Sequence, residues 1–453
     1  MNDPDLVVIG GGAAGLSAAR TARRLGRTVV LVSDGPPGGD CTFTGCVPSK
    51  TLLASGHLPF DQAMARVHDT VAAIAATEDA DVLRGEGIEV ITGRAIVQAR
   101  DHVEVDGRVL IPSAVVIATG SGSVTPPIPG LSDVPYLTNE TLFDLTEMPE
   151  HLAIVGGGAI GVEMAQAFNR LGTQVTVIEG ADRLIGKEEP EASAVIAQVL
   201  RRDGINVRTA TTVTGLAPAG SEIAISTSGG DVHASHLLVA AGRQPLAHGC
   251  DDLGLARSEH GAIRVDSRMR TSVAGIYAAG DVTGRLPFTH AADEMGRVAA
   301  TNALRKLPMR FQEDAIAWVT FTSPEVARVG LTEAQAAQLT RGARVVELPM
   351  TEVDRARTSG HTDGFIKIIV GPRPVLRNAG GGKILGATIV AERAGEMIAE
   401  LALAMRTGMF TGRLAQTSHA YPTWSVGVQQ TVAQLFGVGE RQPRPARKEQ
   451  RND

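Results

Sequence analysis

The feature that most constrains this chain is a glycine-rich turn between an apolar run and a helical stretch, which occurs twice. Residues 6–15 read LVVIGGGAAG, and residues 152–161 read LAIVGGGAIG. The match extends without a gap from residues 6–33 to residues 152–179. A strand, a glycine turn, a helix and a second strand at this spacing are typical of a βαβ dinucleotide-binding unit. The sequence therefore predicts an α/β protein with two Rossmann-like dinucleotide-binding domains.

Each glycine of the turn has its own task. Gly10 permits the tight turn, Gly12 lets backbone N–H groups approach a pyrophosphate, and Gly15 lets the helix pack closely on the strand. The N-terminus of the helix adds partial positive charge toward the phosphates. The alternative is a pair of ordinary glycine turns in α/β packing, and the repeated flanking periodicity disfavours it. The corresponding positions of the second copy are Gly156, Gly158 and Gly161.

The residue that would bind the ribose of each nucleotide differs between the two copies. Glu179 ends the second strand of the second copy. A carboxylate there accepts from a free 2′-hydroxyl and repels a 2′-phosphate, so NADH is favoured over NADPH, although Arg183 would partly offset that repulsion. In the first copy Ser33 occupies this position and Asp34 follows it. Either could bind the adenosine ribose of the first nucleotide, and the sequence leaves both open.

Composition excludes several other classes of protein. The 453 residues correspond to two to four domains at about 150 residues each. A net charge of −6 and an aromatic content of 3% disfavour nucleic-acid binding. No apolar stretch approaches the roughly 20 residues that span a bilayer, so no membrane partner is expected. Asp3 and Asp5 lie where an export signal carries positive charge, which predicts a cytoplasmic location.

The three cysteines, Cys41, Cys46 and Cys250, are too few and too scattered for a secreted disulfide framework or a four-sulfur zinc site. No metal site is predicted. Cys41 and Cys46 lie five positions apart, and in a reducing cytosol such a pair is more often redox-active than structural. At the start of a helix, the helix dipole is expected to lower the thiolate pKa of the pair. Cys250 lies outside every motif and receives no role.

The segment around the cysteine pair identifies a family. Residues 38–50 read GGDCTFTGCVPSK and resemble the active-site disulfide of the class I pyridine nucleotide–disulfide oxidoreductases, which include dihydrolipoamide dehydrogenase, glutathione reductase and mercuric reductase. The resemblance covers nearly the whole chain. Four further segments match landmarks of the same family: VIATGS at 116–121, AGRQP at 241–245, GIYAAGDV at 275–282 and TFTSPEVARVGLT at 320–332.

The resemblance implies cofactors and residue roles. It implies FAD and NADH or NADPH, with Cys46 as the charge-transfer thiol against the flavin and Cys41 as the interchange thiol of a redox-active disulfide. Lys50 and Glu163 match a pair beside the flavin, although Lys50 could also be a solvated helix charge. Asp281 would bind the ribityl chain of FAD, a role compatible with a helix N-cap. Further cofactor-binding positions by resemblance are Gly39, Thr119, Gly120, Gly242, Arg243 and Gly280.

The C-terminal part departs from the family pattern. The disulfide reductases have a His-Pro-Thr segment with a Glu five residues after the His, and the two act as acid/base and its orienting carboxylate. Here residues 418–426 read SHAYPTWSV, so Tyr421 replaces the His and Val426 the Glu. Tyrosine is a poor base at neutral pH because its pKa is about 10. His419 matches an outer histidine of some members, and a structural role is favoured for it over a substitute acid/base role.

These observations predict the function at the level of the acceptor class. A tyrosine at this place and the VDRA sequence at 353–356 resemble the mercuric reductases, but those use a further C-terminal cysteine pair, and no cysteine follows Cys250. We therefore expect an FAD-dependent NAD(P)H oxidoreductase that passes electrons through Cys41 and Cys46 to a small-molecule disulfide, metal ion or quinone. The alternatives are a dihydrolipoamide dehydrogenase with an altered acid/base and a flavin-bearing redox sensor with vestigial catalysis.

The domain organisation follows from the same resemblance. We expect an FAD-binding domain over residues 1–145 and 270–312, an NAD(P)H-binding domain over 146–269, and an α+β dimerisation domain over 313–440. The charged residues 441–453 are expected to be a disordered tail. Because the family site is completed by the partner's C-terminal segment, we expect an obligate homodimer.

Overall fold

In the computed structural model, residues 3–305, 307–375, 377–439 and 441–448 are described. They form two compact units. The first unit takes in the described residues up to Gly156, together with Arg170–Gln174 and Thr214–Phe311. The second unit takes in Gly157–Asn169, Val175–Val213 and the described residues from Gln312 onward.

Residues 3–305 form eight α-helices and seventeen strands. In chain order they are β1 Leu6–Ile9, α1 Ala13–Arg24, β2 Val29–Ser33, α2 Gly39–Phe43, α3 Cys46–Ala54, α4 Phe60–Ala75, α5 Ala80–Gly85, β3 Glu89–Thr92, β4 Ala95–Ala99, β5 His102–Val105, β6 Arg108–Leu110, β7 Ala114–Ile117, β8 Ser121–Ser123, β9 His151–Val155, α6 Ala159–Arg170, β10 Gln174–Ile178, α7 Pro190–Arg202, β11 Asn206–Arg208, β12 Val213–Ala219, β13 Glu222–Thr227, β14 Val232–Ala234, β15 His236–Val239, β16 Arg243–Pro245, β17 Ile276–Ala278 and α8 Thr289–Arg305.

The remaining elements belong to the second unit. They are β18 Ala317–Thr320, β19 Glu325–Gly330, α9 Glu333–Leu339, β20 Arg344–Pro349, α10 Asp354–Ser359, β21 Phe365–Gly371, β22 Lys383–Ala391, α11 Ala394–Arg406, α12 Thr411–Gln416, α13 Val426–Ala433 and β23 Arg444–Pro445.

The first unit is built on a parallel five-stranded sheet in the order β17-β7-β1-β2-β3. Every residue of β1, β2 and β7 is buried. Parallel strands covered on both faces need apolar side chains at each position, which explains their continuous runs of Val, Ile and Leu. Helices α1 and α8 pack so closely that a Cβ at Gly296 would lie 2.1 Å from the Ala14 carbonyl oxygen.

Both predicted glycine turns adopt the expected backbone conformation. Gly10 has φ +109° and Gly156 has φ +115°. A Cβ at Gly10 would lie 2.1 Å from the Ala118 carbonyl oxygen, and one at Gly156 would lie 2.4 Å from that of Ala240. Strands β9 and β15 pair in parallel in the first unit, and β10 and β11 do so in the second. The prediction of an α/β protein with two Rossmann-like dinucleotide-binding domains is confirmed.

Smaller antiparallel sheets complete the first unit. Strands β4, β5 and β6 form one of them, and β12, β13 and β14 form another. A two-stranded sheet pairs β8 with β16, so that Arg243 lies opposite Ser123. This pair lies near the cysteines, because the Arg243 side chain contacts the residue before Cys41.

The second unit contains an antiparallel six-stranded sheet in the order β18-β19-β22-β21-β20-β23. Apolar residues of α11 and α13, among them Leu401 and Val428, pack with the buried residues of β21 and β22 in one core. A mixed helix-and-sheet unit is what the sequence predicted for the dimerisation domain.

The prediction of a disordered tail is wrong for residues 441–448, because part of this segment forms a strand. Strand β23 pairs with β20 at one edge of the six-stranded sheet. Arg444 Nη2 donates to Glu333 Oε2 at 2.8 Å, and Glu333 also lies 3.3 Å from the fully buried Lys367 ammonium. Charge on the segment suggested solvation, but the half-buried Arg444 pairs with Glu333, whose side chain is 8% exposed. Residues 449–453 lie outside the described part of the chain.

Candidate functional site

The two N-terminal cysteines lie on consecutive short helices. Cys41 is in α2 and half-buried, and Cys46 is the first residue of α3 and exposed. Both are free thiols and hydrogen-bond each other. Gly45 joins the helices, and a Cβ there would lie 2.8 Å from the Asp40 carbonyl oxygen. The glycine therefore allows the chain to fold back so that the predicted pair meets.

The pKa of Cys41 differs from that of an ordinary cysteine. The hydrogen bond to Cys46 and burial both raise the pKa of Cys41 above its ordinary value. Although Cys41 lies in the first turn of α2, these two effects outweigh the helix dipole, so the expectation of a lowered pKa is wrong for this thiol. Cys46 begins α3 and lies 3.5 Å from Thr289 Oγ1. Of the two thiols, Cys41 is therefore the one that burial and hydrogen bonding hold in the protonated form.

The first glycine turn has the features of a pyrophosphate cradle. Gly12 caps α1 with no side-chain hydrogen bond, and the first turn of α1 has no acidic residue, so its N–H groups remain available to an anion. A Cβ at Gly15 would lie 1.8 Å from the Gly10 carbonyl oxygen. Gly39 packs on the turn, since a Cβ there would lie 2.8 Å from Gly12 Cα. These residues fit the pyrophosphate of FAD.

The structure separates the two ribose candidates of the first copy. Ser33 is buried beside the turn, because a Cβ at Gly11 would lie 2.6 Å from its Oγ. The Asp34 side chain is 70% exposed and lies 3.9 Å from Arg94. Ser33 is therefore the residue at the glycine turn.

The FAD-side signatures meet at the ends of β7 and β17. Asp281 begins a 3-10 turn without capping it, and its Oδ2 accepts from Ser121 Oγ at 2.7 Å. Burial raises the pKa of the Asp281 carboxyl. Thr119 Oγ1 donates to the Leu246 carbonyl oxygen at 2.5 Å. Gly120 and Gly280 both have positive φ, +76° and +79°.

Backbone N–H groups at and near the second glycine turn donate to the carboxylate of Glu179. Glu179 Oε2 accepts from the Gly157 N–H at 2.5 Å, and Oε1 accepts from the Ala181 N–H at 2.7 Å. A Cβ at Gly158 would meet nothing within 4 Å, which leaves room for a ligand at the turn. Arg183 Nη1 donates to the Glu188 carbonyl oxygen at 2.8 Å. Two further predicted positions of this copy are Gly161, buried in α6, and Gly242, with φ +131°.

Lys50 and Glu163 belong to different units. Lys50 lies on α3 in the first unit. Glu163 lies on α6 in the second unit, is 3% exposed, and accepts from the Phe321 N–H at 2.8 Å. Their pairing stays a prediction.

The C-terminal segment, residues 417–426, contains a tyrosine–carboxylate pair that the sequence did not suggest. Tyr421 is 71% exposed, and its hydroxyl donates to Asp354 Oδ2 at 3.0 Å. This hydrogen bond raises the pKa of Tyr421. Val426 begins α13 and is buried in the core. The carboxylate missing at position 426 thus has a counterpart at Asp354, which lies 67 residues away and has no spacing signal.

His419 lies apart from the tyrosine pair. Its Nε2 is 3.0 Å from Glu400 Oε2, and its Nδ1 is 3.0 Å from the Thr417 carbonyl oxygen. Burial raises the pKa of Glu400, while His419 acts against that rise. Both ring nitrogens are therefore occupied by protein acceptors.

Two comparisons of sequence bear on this site. The family model described as Pyridine nucleotide-disulphide oxidoreductase matches residues 4–296, and the dimerisation domain of the same family matches residues 316–432. A mercuric reductase of Streptomyces lividans is 36% identical, with 95% of this chain and 96% of the relative covered. The chain belongs to the pyridine nucleotide–disulphide oxidoreductase family.

Other relatives show the breadth of this family. A dihydrolipoyl dehydrogenase of Chlamydia muridarum is 32% identical over 92% of this chain and 94% of its own length. The Cu(II) complex of the HOCl-induced flavoprotein disulfide reductase RclA from Escherichia coli has a TM-score of 0.86 and 30% identity, and the match covers 96% of this chain and all of RclA. LpdA from Mycobacterium tuberculosis has a TM-score of 0.86 at 29% identity, with coverage of 95% and 99%.

Family membership confirms the coarse predictions. The protein is an enzyme, a flavoprotein disulfide oxidoreductase of the mercuric reductase, lipoamide dehydrogenase and RclA type. Members of this family use FAD and NAD(P)H. Among the described residues, no helix combines the length and apolar character needed to cross a membrane. The described residues also contain no cluster of three or more His, Cys, Asp and Glu side chains arranged for a metal ion.

Proposed function

We propose that this enzyme uses NADH to reduce a thiophilic metal ion bound by Cys41 and Cys46. The observation that carries the proposal is the contrast between the two halves of the site. The two thiols hydrogen-bond each other, and Cys46 is exposed. The segment that supplies an acid/base in disulfide-reducing members instead has Tyr421 hydrogen-bonded to Asp354. Exchange with an organic disulfide needs an acid/base group that works near pH 7, to protonate the leaving thiolate. Thiolates bind soft metal ions without one.

The names of two relatives support a metal acceptor. One relative is a mercuric reductase, and one structural neighbour is described as a Cu(II) complex. Two electrons from NADH would reduce one divalent mercury ion to the metal or two Cu(II) ions to Cu(I). A second candidate, a dihydrolipoamide dehydrogenase, is supported by the 32% identical chlamydial enzyme.

The cofactors fit the two glycine turns. Gly10, Gly12, Gly15, Ser33 and Asp281 would hold FAD, which when bound supplies the two-electron step between the nicotinamide and the cysteine pair. The turn at Gly156, Gly158 and Gly161 would hold the nicotinamide nucleotide. Both oxygens of Glu179 accept backbone N–H groups, so its charge is held at the turn. A fixed carboxylate repels a 2′-phosphate, and NADH is therefore the proposed donor.

The remaining site residues would bind the metal ion, donate hydrogen bonds or lie beside the flavin. Cys46 would supply one sulfur, and Cys41 would supply the second when metal binding displaces its proton to solvent. Tyr421 keeps its proton because the Asp354 carboxylate holds it, so the phenol acts as a hydrogen-bonding group and is not a base. Lys50 and Glu163 are proposed to lie beside the flavin.

The matched dimerisation domain supports a homodimer. We propose that Tyr421 of the partner subunit completes the site, as the family pattern implies. The proposed domain limits are 1–145 with 270–312 for FAD, 146–269 for the nicotinamide nucleotide and 313–440 for dimerisation.

The test is an acceptor assay on the purified holoenzyme under anaerobic conditions. NADH oxidation is followed with Hg(II), Cu(II), lipoamide, glutathione disulfide and a soluble quinone. We expect metal-dependent oxidation that Cys41→Ser and Cys46→Ser both abolish, while the matched variant Cys250→Ser keeps it. Faster turnover with lipoamide would favour the second candidate, and quinone turnover that survives both substitutions would show that the cysteines are bypassed.

A further inference from the structure

We propose that Arg243 and Asn139 form a clamp that positions the redox-active cysteine pair, so that Arg243 serves the cysteines rather than the nicotinamide nucleotide. We call these two residues the arginine clamp, and residues 40–46 the cysteine loop. The inference rests on the proposed redox role of Cys41 and Cys46, but not on the identity of the acceptor.

The guanidinium of Arg243 contacts the cysteine loop and the residues that support it. Arg243 Nε donates to Ser121 Oγ at 2.9 Å, and Nη2 donates to the Ser121 carbonyl oxygen at 2.5 Å. Nη1 lies 3.4 Å from Asn139 Oδ1. Nη2 also pairs with the carboxylate of Asp40, the residue directly before Cys41. A planar guanidinium can bind several acceptors in a fixed geometry, and here each nitrogen points at this loop or its support.

The clamp contacts the cysteine loop on both sides of Cys41. Asn139 Nδ2 donates to the Thr44 carbonyl oxygen at 3.3 Å, two residues before Cys46. The amide is held by Ser123 Oγ, which donates to Asn139 Oδ1 at 2.6 Å. Arg243 therefore fixes position 40, and Asn139 fixes position 44. The segment that carries Cys41 is restrained at both ends.

Ser121 and the β8–β16 strand pair hold the arginine clamp in place. Ser121 is 8% exposed, and its hydroxyl accepts from Arg243 and donates to Asp281 Oδ2 at 2.7 Å. Arg243 also belongs to β16, which pairs with the β8 residues Ser121 and Ser123. The guanidinium is thus anchored to the sheet end that carries the proposed FAD ligand. Asp40 neutralises its charge next to Cys41.

A restrained loop changes the thiol–disulfide equilibrium. Holding Cys41 near Cys46 reduces the conformational entropy that the dithiol loses when the disulfide forms. The clamp should therefore favour the disulfide, and its loss should favour the open dithiol. A nucleotide-binding arginine would instead change the affinity for NADH and leave this equilibrium unaltered.

The test measures both quantities on the holoenzyme. Wild-type, Arg243→Gln, Asp40→Asn and the double variant are equilibrated in dithiothreitol redox buffers, and free thiols are trapped with an alkylating mass tag. NADH dissociation constants are measured on the same samples. Arg108→Gln is the matched control, because its guanidinium pairs with Glu89 on the surface of the same unit, 2.6 Å away.

We expect Arg243→Gln to lower the equilibrium constant for disulfide formation about tenfold, as loop ordering is lost, and to change NADH affinity less than about twofold. Asp40→Asn should act in the same direction, and the double variant should be less than additive because the two residues share one contact. An unchanged disulfide equilibrium with weakened NADH binding would overturn the clamp. A wild-type pair that never forms a disulfide would overturn the redox role itself, and the clamp with it.

Where Arg243→Gln loses FAD or unfolds, Asn139→Ala provides the second variant. It removes the contact to the Thr44 carbonyl oxygen and the 3.4 Å contact to Arg243 Nη1, while the guanidinium keeps its bonds to Ser121 and Asp40. A shift of the disulfide equilibrium by about threefold in the same direction is expected. No shift would count against the clamp.

Discussion

The cysteine loop and the C-terminal segment stand in contrast. The loop keeps the family pattern, with two thiols in contact and a glycine at its fold-back. The segment replaces the family's imidazole with Tyr421, and its hydroxyl is held by Asp354. The loop expected to carry electrons therefore keeps the family residues, whereas the segment expected to move protons differs from them. Under the proposed function, the acceptor, rather than the reductive half of the reaction, would set this enzyme apart from members that carry the family histidine.

The pKa values of the two regions strengthen the comparison. Cys41 has a raised pKa because it hydrogen-bonds Cys46 and is half-buried, so this thiol holds its proton. Tyr421 has a raised pKa because it donates to Asp354, so it stays protonated at neutral and mildly alkaline pH. The first region offers a nucleophilic or metal-binding sulfur. The second offers a proton-bearing phenol where the family pattern has an imidazole.

The largest effect is expected in the cysteine loop. Cys46→Ser should lower acceptor reduction by about 10³-fold or more, because an essential member of a unit is lost. It should also abolish the long-wavelength absorbance of thiolate against flavin in the NADH-reduced enzyme, which Cys41→Ser should preserve. Visible spectra of both variants check this. The reverse pattern would overturn the assignment of the two thiols.

The next effect tests the rebuilt segment. Tyr421→His restores an imidazole and should raise lipoamide turnover by up to about 10²-fold, the usual contribution of a positioned acid/base. The steady-state rate with lipoamide is the measurement. If the enzyme is instead a dihydrolipoamide dehydrogenase with a compensated acid/base, this substitution should change the rate little.

Adding Val426→Glu to that variant restores the family carboxylate but has a structural cost. Val426 is buried in the core, and a buried carboxylate without a partner is costly. The thermal midpoint of the double variant should therefore fall. The single variant Tyr421→His is the cleaner comparison for this reason.

A smaller effect is expected from the carboxylate that holds the tyrosine. Asp354→Asn removes the charge that raises the pKa of Tyr421, so the phenol should lose its proton at a lower pH than in the wild type. Ultraviolet titration of tyrosine ionisation, with Tyr421→Phe subtracted to remove the other two tyrosines, measures the shift. An unchanged titration would show that Asp354 does not act on Tyr421.

The smallest catalytic effect is expected at His419. Both of its ring nitrogens are occupied, so His419→Gln should leave the pH profile of turnover between pH 6 and 8 unchanged. His419→Ala, which also removes the contact to Glu400, should lower the free energy of unfolding by about 2 kcal/mol. Loss of an acidic limb in His419→Gln would show that this histidine has replaced the missing base.

Much of the fold could be predicted because its signals are local. The first apolar run, glycine turn and helix predicted strand and helix limits within a few residues of β1, α1 and β2. The cysteine motif identified the family. These features depend on residues close together in the chain, where spacing carries the information.

The missed features depend on contacts between distant residues. Asp354 meets Tyr421 across 67 positions, and Arg243 contacts Asp40 across 203. Nothing in the spacing of these residues indicates that they touch. The tail was misjudged for a related reason, since the partner of Arg444, Glu333, lies 111 positions away.

The most direct test of the account follows a single discharge of the reduced enzyme. The holoenzyme is reduced anaerobically with one equivalent of NADH and mixed by stopped flow with Cu(II), Hg(II) or lipoamide, while the long-wavelength absorbance is recorded. We expect the long-wavelength absorbance to form on reduction by NADH. It should then decay rapidly with either metal ion and slowly with lipoamide. Rapid decay with lipoamide, or reduction of the flavin without this absorbance, would contradict the account.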